Sequence, residues 1–485
     1  MNIIPEVQWT REHAPADFWQ RAEGTADGVV CKLSPRNCRI APGKMGKCGV
    51  RGNVGGELRT FNYGKSVEAT MEFIETEAVY HYRPGARILS LGNIGCMMSC
   101  DFCQNWKTSQ VRHLNPHDVK HYSPEQIVET CLATGIGVIS WTYNDPVVWH
   151  EFVVETSRLA QAAGIRTLYK SAFYIEEAPV DELIGCIDIF SISLKSMDDR
   201  FYRKFTGGTR LQPVLDRIKQ VHASGRHLEI SQLIITGRND NAEEIGRTND
   251  WVLENLGDRV PLHYVGFHPA YLYVNTTRTD PEILLMAQHM ARQAGIRFCY
   301  VGNTFKDGVS DTRCASCGGT LVRRYGLDAE VVGIARDNTC MYCGAPTPIT
   351  EPHDDTGLAA AAPLSLDNAG ATRTDFTWVA ESQSAHIEAR QATNGASPPC
   401  AISVTRLGAE ALPPQTYTLG GALKRIIVSK QHDQETGIAV QAPPGVEIVI
   451  FPVLDRAHFP TSTELSGELR GYRDARAAPA AGERV

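Results

Sequence analysis

Cys96, Cys100 and Cys103 stand in the run GNIGCMMSCDFCQNW at the spacing C-x3-C-x2-C. Thiolates are the ligands that hold iron–sulfur clusters. A four-iron cubane needs four ligands, so a loop that offers three leaves one iron open to a chelating small molecule. A zinc knuckle, or three unrelated cysteines, is the competing reading. The position of the motif directly after a predicted strand in a strand–helix chain favours the cluster.

Two further groups bring the clustered cysteines to ten of the fourteen in the chain. Cys314-x2-Cys317 and Cys340-x2-Cys343 are each followed by glycine, in CASCGG and CMYCGA, and form a rubredoxin- or zinc-ribbon-like pattern. Four thiolates close a tetrahedral structural site, for which zinc is the first choice and mononuclear iron the alternative. Cys31, Cys38 and Cys48 form a looser trio in CKLSPRNCRIAPGKMGKCGVRGN, a template that fits either a three-ligand metal site or no metal at all. The remaining Cys131, Cys186, Cys299 and Cys400 read as small buried hydrophobes.

The elements around these cysteines follow a pattern. From residue 87 onward, short apolar strands alternate with amphipathic stretches. Strands are predicted at Ile88–Gly92, Val138–Tyr143, Arg166–Lys170, Ile187–Leu194, Leu228–Thr236 and Leu262–Phe267, with helices at 124–134, 146–163, 211–224, 241–255 and 280–294. Ser123 before Pro124 reads as an N-cap with proline at the first helical position. Such alternation predicts an α/β fold with a parallel sheet, and six units suit a partial barrel or an open sheet.

The expected organisation is an N-terminal cysteine-containing segment (1–86), a β/α unit (87–309), a four-cysteine ribbon (310–350), an Ala/Pro-rich linker (351–372), a small β-rich domain (373–465) and a polar tail (466–485). A domain attached through such a linker is expected to fold on its own, to be dispensable for the chemistry of the cluster and to be needed for turnover on the physiological substrate.

At 485 residues, 42% hydrophobic and 21% charged, the chain can bury a sizeable core. A formal net charge of -7 gives no electrostatic reason for a nucleic-acid partner. No apolar run long enough for a membrane span is seen, and the expected location is the cytoplasm, where clustered thiols point to metals before disulfides.

In its motifs the chain resembles the radical S-adenosylmethionine (SAM) superfamily. Within it, the chain is similar to the AmmeMemoRadiSam-system radical SAM enzymes and the pyruvate formate-lyase activating enzymes. The resemblance rests on the run from Cys100 to Trp106, on Thr142-Tyr143-Asn144-Asp145-Pro146 against a family T-Y-N-E-P, and on SLKSMDDRFYRK, LEISQLIITGRNDN, HYVGFHPAYL and YVGN in order. It covers about residues 28–350 and nothing beyond 373. It implies a partial (β/α)6 TIM-like barrel and a [4Fe-4S] cluster whose open iron takes the amino and carboxylate groups of SAM. It further implies a radical-generating oxidoreductase that cleaves SAM reductively to a 5′-deoxyadenosyl radical for hydrogen abstraction.

Site roles follow from the same resemblance. Phe102 would lie near the adenine, Asn144 and Asp145 at the SAM amino group, and Lys170 and Ser171 at its carboxylate or ribose. Ser193 stands where relatives carry Asp, while Lys195, Glu229, Asn239 and His268 follow the family pattern. Each polar position could equally be a cap or a loop hydrogen-bonder. For the N-terminal trio, the position matching a fourth cysteine of relatives is Ser34. The implied partners are a low-potential donor such as flavodoxin or ferredoxin and an unidentified substrate, a protein or peptide Cα–H by analogy with glycyl-radical activating enzymes, or a small metabolite. The alternative from another class is an RNA-modifying or RNA-binding protein using the four-cysteine ribbon, which the acidic charge disfavours.

Overall fold

The structure, a computed structural model, describes residues 3–5, 8–304, 306–335 and 337–352, and, further on, 372–377, 382–391, 400–408, 413–419, 423–429 and 434–454. The expected linker falls mainly, and the expected tail wholly, outside the described residues.

Seven parallel strands form the centre of one sheet: β1 (Arg87–Asn93), β2 (Val138–Thr142), β3 (Arg166–Ser171), β4 (Ile189–Leu194), β5 (His227–Ile234), β6 (Leu262–Gly266) and β7 (Cys299–Gly302). They pair in sequence order, with Ile139 beside Leu89, Tyr169 beside Phe190 and Leu262 beside Cys299. Every residue of β1 and β2 is buried, as expected of parallel strands covered on both faces. The chain thus folds as a mixed α/β sheet in which the seventh parallel strand falls at the strand-like run Phe298–Val301 that follows the six units of the pattern.

The helices between the strands carry their own boundary signals. In α1 (Pro124–Thr134) the Ser123 hydroxyl accepts from the Gln126 amide and the Gln126 side chain returns the bond, a capping box, while Gly135 closes the helix at φ 65°. Next come α2 (His150–Ala162), α3 (Glu177–Cys186), α4 (Leu211–Ala223), α5 (Ala242–Leu256) and α6 (Pro281–Ala294). The helix α3 was not among the expected ones. The cap of α5 is Asn241, which accepts from the Glu244 amide.

Residues before 87 do not stand apart from this sheet. The strand Lys65–Phe73 pairs antiparallel with β1 (Met71 beside Leu89) and with Lys120–His121. The connection between that strand and β1 runs across the N-terminal ends of the parallel strands, where Tyr80 and His81 meet β5 and β6. Two small antiparallel sheets, Ala14–Pro15 with Glu57–Thr60 and Arg51–Val54, and Trp19–Arg21 with Val29–Cys31 and Arg39–Ile40, carry the first cysteines.

Beyond residue 310, a hairpin Thr320–Tyr325 and Asp328–Val331 continues into strands of the C-terminal region. Glu330 pairs with Lys424 and Val331 with Leu423. A second sheet of Thr372–Thr377, Gly437–Ala442, Cys400–Leu407 and Gln415–Leu419 shares an apolar core with these strands through Ile387, Ile402, Ile438 and Ile448. No helix of the described residues is long and apolar enough to cross a membrane.

Candidate metal and cofactor site

In a parallel sheet the loops that leave the C-terminal strand ends share one edge, the usual place for a site in this kind of fold. The loop after β1 carries Cys96, Cys100 and Cys103. It is fixed from both sides: the Asp101 amide donates to the Phe205 carbonyl (3.0 Å), and the Asp101 carbonyl accepts from the Leu272 amide (3.0 Å). The Met98 amide donates to Cys96 Sγ (3.3 Å), and Ser109 Oγ lies 3.4 Å from Cys103 Sγ. Burial pushes the Cys96 thiol well above its ordinary range, and Asp145 and the neighbouring thiols push further. Burial likewise moves Cys100 up to about 12, against the pull of the Lys195 ammonium. Cys100 and Cys103 lie close enough to Cys96 to oppose its ionisation; three thiols so grouped are a donor set that a cationic metal cluster stabilises, and the residues present fit such a group.

Asn144 and Asp145 form a wall beside this loop, and both are heavily bonded within it. Asn144 donates to the Asn93 carbonyl (2.5 Å) and accepts from Thr108 Oγ1 (3.2 Å). The Asp145 carboxylate accepts from Ser171 Oγ (2.8 Å), the Ala172 amide (2.9 Å) and the Val147 amide (3.2 Å). These bonds tie the ends of β1, β2 and β3 together, and they also occupy Ser171. Phe102 is buried against Phe201 and Tyr273, at ring centroid distances of 5.8 and 6.1 Å.

Lys170 points into the sheet's interior. Its ammonium donates to the Glu77 carbonyl (3.1 Å), Ser191 Oγ and Ser231 Oγ (both 3.0 Å). Burial lowers Lys170 and raises Glu77, while their mutual attraction opposes both shifts. Ser193 Oγ lies 3.3 Å from the same Ser231 hydroxyl. Lys195 is half-buried just past the end of β4; its backbone bonds to Tyr202 and Asn239, its ammonium has no hydrogen-bond or ion-pair partner among the described residues, and its charge reaches Cys100, Asp145 and Lys170. Asn239 holds the Lys195 carbonyl with its amide (2.8 Å) and accepts from the Ile235 amide (2.6 Å), so it fixes the turn that presents Lys195. His268 is exposed on the loop after β6.

Glu229 lies apart from this edge. It is the third residue of β5, on the N-terminal side, with no exposed surface. Its oxygens accept from the Tyr80 amide (2.9 and 3.0 Å), the His81 amide (2.7 Å), His227 Nε2 (2.9 Å) and His263 Nε2 (2.6 Å). Burial alone would raise this carboxyl, but the two imidazoles hold it well below the ordinary range. Its bonding is that of a structural anchor between β5, β6 and the 80–81 turn, in contrast to the cofactor contact that the resemblance implies.

Several residues that shape the site were not among the expected ones. Trp106 stacks on Tyr271 at 5.1 Å and 22°, and Arg112 donates to the Tyr271 hydroxyl (2.6 Å), so the loop after β6 leans on the cysteine loop. Arg324, from the hairpin of the four-cysteine module, is buried and donates to the Tyr80 carbonyl (2.7 Å) and Thr312 Oγ1 (2.7 Å), with its guanidinium 4.2 Å above the Tyr80 ring. That module is thereby wedged under the sheet.

The four-cysteine group has the geometry of a closed site. Among the described residues, the ligand atoms of Cys314, Cys317, Cys340 and Cys343 all lie within 4.8 Å of one another. Two matching turns present them: the Gly318 and Gly344 amides donate to the Cys314 and Cys340 carbonyls, with both glycines in the left-handed region at φ 75° and 72°. Although burial opposes it, the Cys317 and Ser316 amides help to draw the Cys314 thiol down to about 7.

The pattern of the radical SAM superfamily matches residues 93–252, which include the cysteine loop and strands β2 to β5. An uncharacterized protein of Methanocaldococcus jannaschii is 33% identical over 319 residues, covering 65% of this chain and 94% of the relative. The chain belongs to the radical SAM superfamily. Among more distant superfamily relatives, the (2S)-3-sulfopropanediol dehydratase activating enzyme of Klebsiella oxytoca is 23% identical over 124 residues, 26% of this chain and 39% of that protein. The 4-hydroxyphenylacetate decarboxylase activating enzyme of Clostridium scatologenes is 24% identical over 171 residues, 33% of this chain and 54% of that protein. A solved domain of a pyruvate-formate lyase-activating enzyme from Bacteroides vulgatus aligns over 34% of this chain and 99% of its own length, with 17% identity and a TM-score of 0.31.

Proposed function

We propose that this chain is a radical SAM enzyme that binds a [4Fe-4S] cluster through Cys96, Cys100 and Cys103 and cleaves SAM reductively in order to abstract hydrogen from a protein or peptide substrate. The observation that carries the reading is the grouping of three half-buried thiols on the loop leaving β1, at the strand-end edge of the sheet, beside the Lys195 ammonium, which has no side-chain partner among the described residues. When bound, the cluster supplies one electron to SAM, whose adenosyl fragment then takes a hydrogen atom from the substrate.

The protein's part is to hold and exclude. Lys195 is the residue suited to the SAM carboxylate, because its charge faces the thiols and its ammonium has no hydrogen-bond or ion-pair partner among the described residues. Asn144 and Asp145 act through the backbone they brace and keep the floor of the site rigid. Ser193 and His268 are the remaining expected contacts, on β4 and on the loop over the mouth. Trp106 and Tyr271 close the outer side against water. In this reading the parallel strands form a partial barrel, the four-cysteine module holds Zn2+ as a structural ion, and a flavodoxin- or ferredoxin-like donor supplies the electron. The substrate class rests on relatives that are called activating enzymes.

The test is anaerobic reconstitution with iron and sulfide, then SAM and dithionite, with 5′-deoxyadenosine read by mass spectrometry. The wild type is expected to release it, and Cys100→Ala to lose both the cluster absorbance and the product. Equal product from wild type and Cys100→Ala would overturn the reading.

A further inference from the structure

A cavity of about 380 Å³ opens between the N-terminal segment and the loop after β1. Cys96 lies in its wall, whereas Cys100, Cys103 and Lys195 do not line it. Its two sides are set by a close approach at Gly49, which holds φ +75° and where a Cβ would come within 2.9 Å of Val111. Only glycine lets the backbone come so near in that conformation. The contact seats the turn 46–49, closed by the Gly49 amide on the Gly46 carbonyl (3.1 Å), against the segment 110–112.

Three exposed cations line this cavity, Arg39 and Lys47 from the N-terminal side and Arg112 from the other, and no carboxylate lines it. The partners of these groups are neutral. Arg39 donates to the Glu23 carbonyl (3.1 Å), and Arg112 to Gln110 Oε1 (2.9 Å), the Tyr271 hydroxyl (2.6 Å) and His113 Nε2 (3.0 Å). The Lys47 ammonium has no hydrogen-bond or ion-pair partner among the described residues. Burial raises the Cys38 and Cys48 thiols in the same wall, Cys48 to about 11, so they add no negative charge near neutral pH. In a chain of formal charge -7, the cavity therefore carries a local field of the opposite sign.

Gln110 adds a buried donor to this wall. The bonds that it accepts from Arg112 and Tyr271 identify its oxygen, so its Nε2 is the end left to donate. That nitrogen is buried and has no hydrogen-bond partner among the described residues. A buried N–H without an acceptor is costly, and an acceptor seated in the cavity would remove the cost.

We propose that this cavity is an oxyanion site, in which a carboxylate or phosphate group sits among Arg39, Lys47 and Arg112 and accepts from the Gln110 amide. The chemistry is shared by two sources, a free small-molecule anion and an acidic side chain of an extended peptide. At about 380 Å³ the cavity stands at the lower end of small-molecule sites, which run to about 1,000 Å³, and it holds more than one carboxylate group. The site is separate from the proposed SAM contacts, and its occupant would lie against the loop that carries Cys96.

The experiment is calorimetric titration of the full-length, anaerobically reconstituted protein with inorganic phosphate, citrate and an oligoglutamate peptide, without SAM. Saturable binding of at least one probe is expected, weakening as salt is added. Arg39→Gln and Lys47→Gln should each weaken it about fivefold, the worth of one exposed charge pair. Phosphate or citrate binding identifies a free anion as the source, and binding of the peptide alone identifies an acidic segment. Gln110→Glu keeps the bonds from Arg112 and Tyr271 but places a carboxylate in the site, so it should abolish binding without lowering the melting temperature. Arg200, whose side chain is 93% exposed on another loop, is the control, and Arg200→Gln should bind as the wild type does. No binding of any probe would overturn the proposal. So would unaltered binding in Gln110→Glu, or a loss in Arg200→Gln equal to that in Lys47→Gln, which would show diffuse surface attraction. None of these measurements uses SAM cleavage, so failure here leaves the proposed activity standing.

Discussion

Glu229→Gln separates a structural anchor from a cofactor contact. The native carboxylate has no exposed surface and receives four donors, two amides and two imidazoles, on its two oxygens. Glutamine keeps the shape but presents an NH2 group at one end. If the carbonyl takes the place of the oxygen that His81 and His227 bond, it also keeps the shorter Tyr80 contact (2.9 Å), and the NH2 faces His263 and loses the longer Tyr80 contact (3.0 Å). The His263 imidazole can change tautomer and accept. The variant therefore loses the charge assistance of bonds worth about 1.5–3 kcal/mol each. Taken with the measured cost of breaking buried ionic contacts, a loss of about 3–5 kcal/mol is expected. For a unit of this size that lowers the melting temperature by about 6–20 °C. Circular dichroism melts at pH 7.5, paired with SAM binding per cluster at 15 °C, read the two effects separately. A large drop in melting temperature with SAM affinity unchanged is expected. An unaltered melt with SAM binding lost would show that Glu229 faces the cofactor and that the anchoring argument is wrong.

Three further outcomes follow from the same structure. Lys195→Met should weaken SAM binding to cluster-loaded protein by roughly 10- to 100-fold, the worth of one charge-assisted contact, with thermal stability little changed; calorimetric titration checks it, and an unaltered Kd removes Lys195 from the site. Burial, partly offset by Glu229 and reinforced by His227, Arg324 and His263, holds the His81 imidazole unprotonated down to about 3, whereas the unfolded chain takes up that proton near pH 6.5. The contribution is thus complete above about pH 6.5 and falls as the pH drops below it, by up to about 1.4 kcal/mol per pH unit; urea unfolding between pH 7 and 5 should show a shallower slope for His81→Phe. Ending the chain after Pro352 should yield a protein that self-associates in size-exclusion chromatography, because it strips Asp328–Val331 of its partner strand Leu423–Ser429 next to the already exposed Tyr325 and Leu327; a monodisperse monomer would refute this and favour a C-terminal region dispensable for SAM cleavage.

What could be read from the residues, and what could not, divides along the range of the interactions. Ser123 with Pro124, the apolar runs of β1 to β6 and the glycines after Cys317 and Cys343 act within a few positions of themselves, and the corresponding caps, strands and turns are where the pattern puts them. The cluster loop was legible for the same reason: its three thiols lie within eight residues. The resemblance went further and supplied Lys195, which stands at the site's edge with its charge directed to Cys100. It could not tell that Asp145, Lys170, Glu229 and Asn239 would find partners inside the chain, because each has at least one partner 26 to 149 positions away. Residues before 87 look poor in regular structure because their strands are two to nine residues long and are stabilised by the sheet they join. Yet that segment supplies Glu77, Tyr80 and His81 to the interior and Arg51 to the N-terminal cysteines. Buried charge of this kind tolerates few alternatives, since each group removed strands its partners. The base of the sheet is therefore fixed by these buried bonds, and in the proposed reading the strand-end loops above it present the thiols, Lys195, Ser193 and His268 to a ligand.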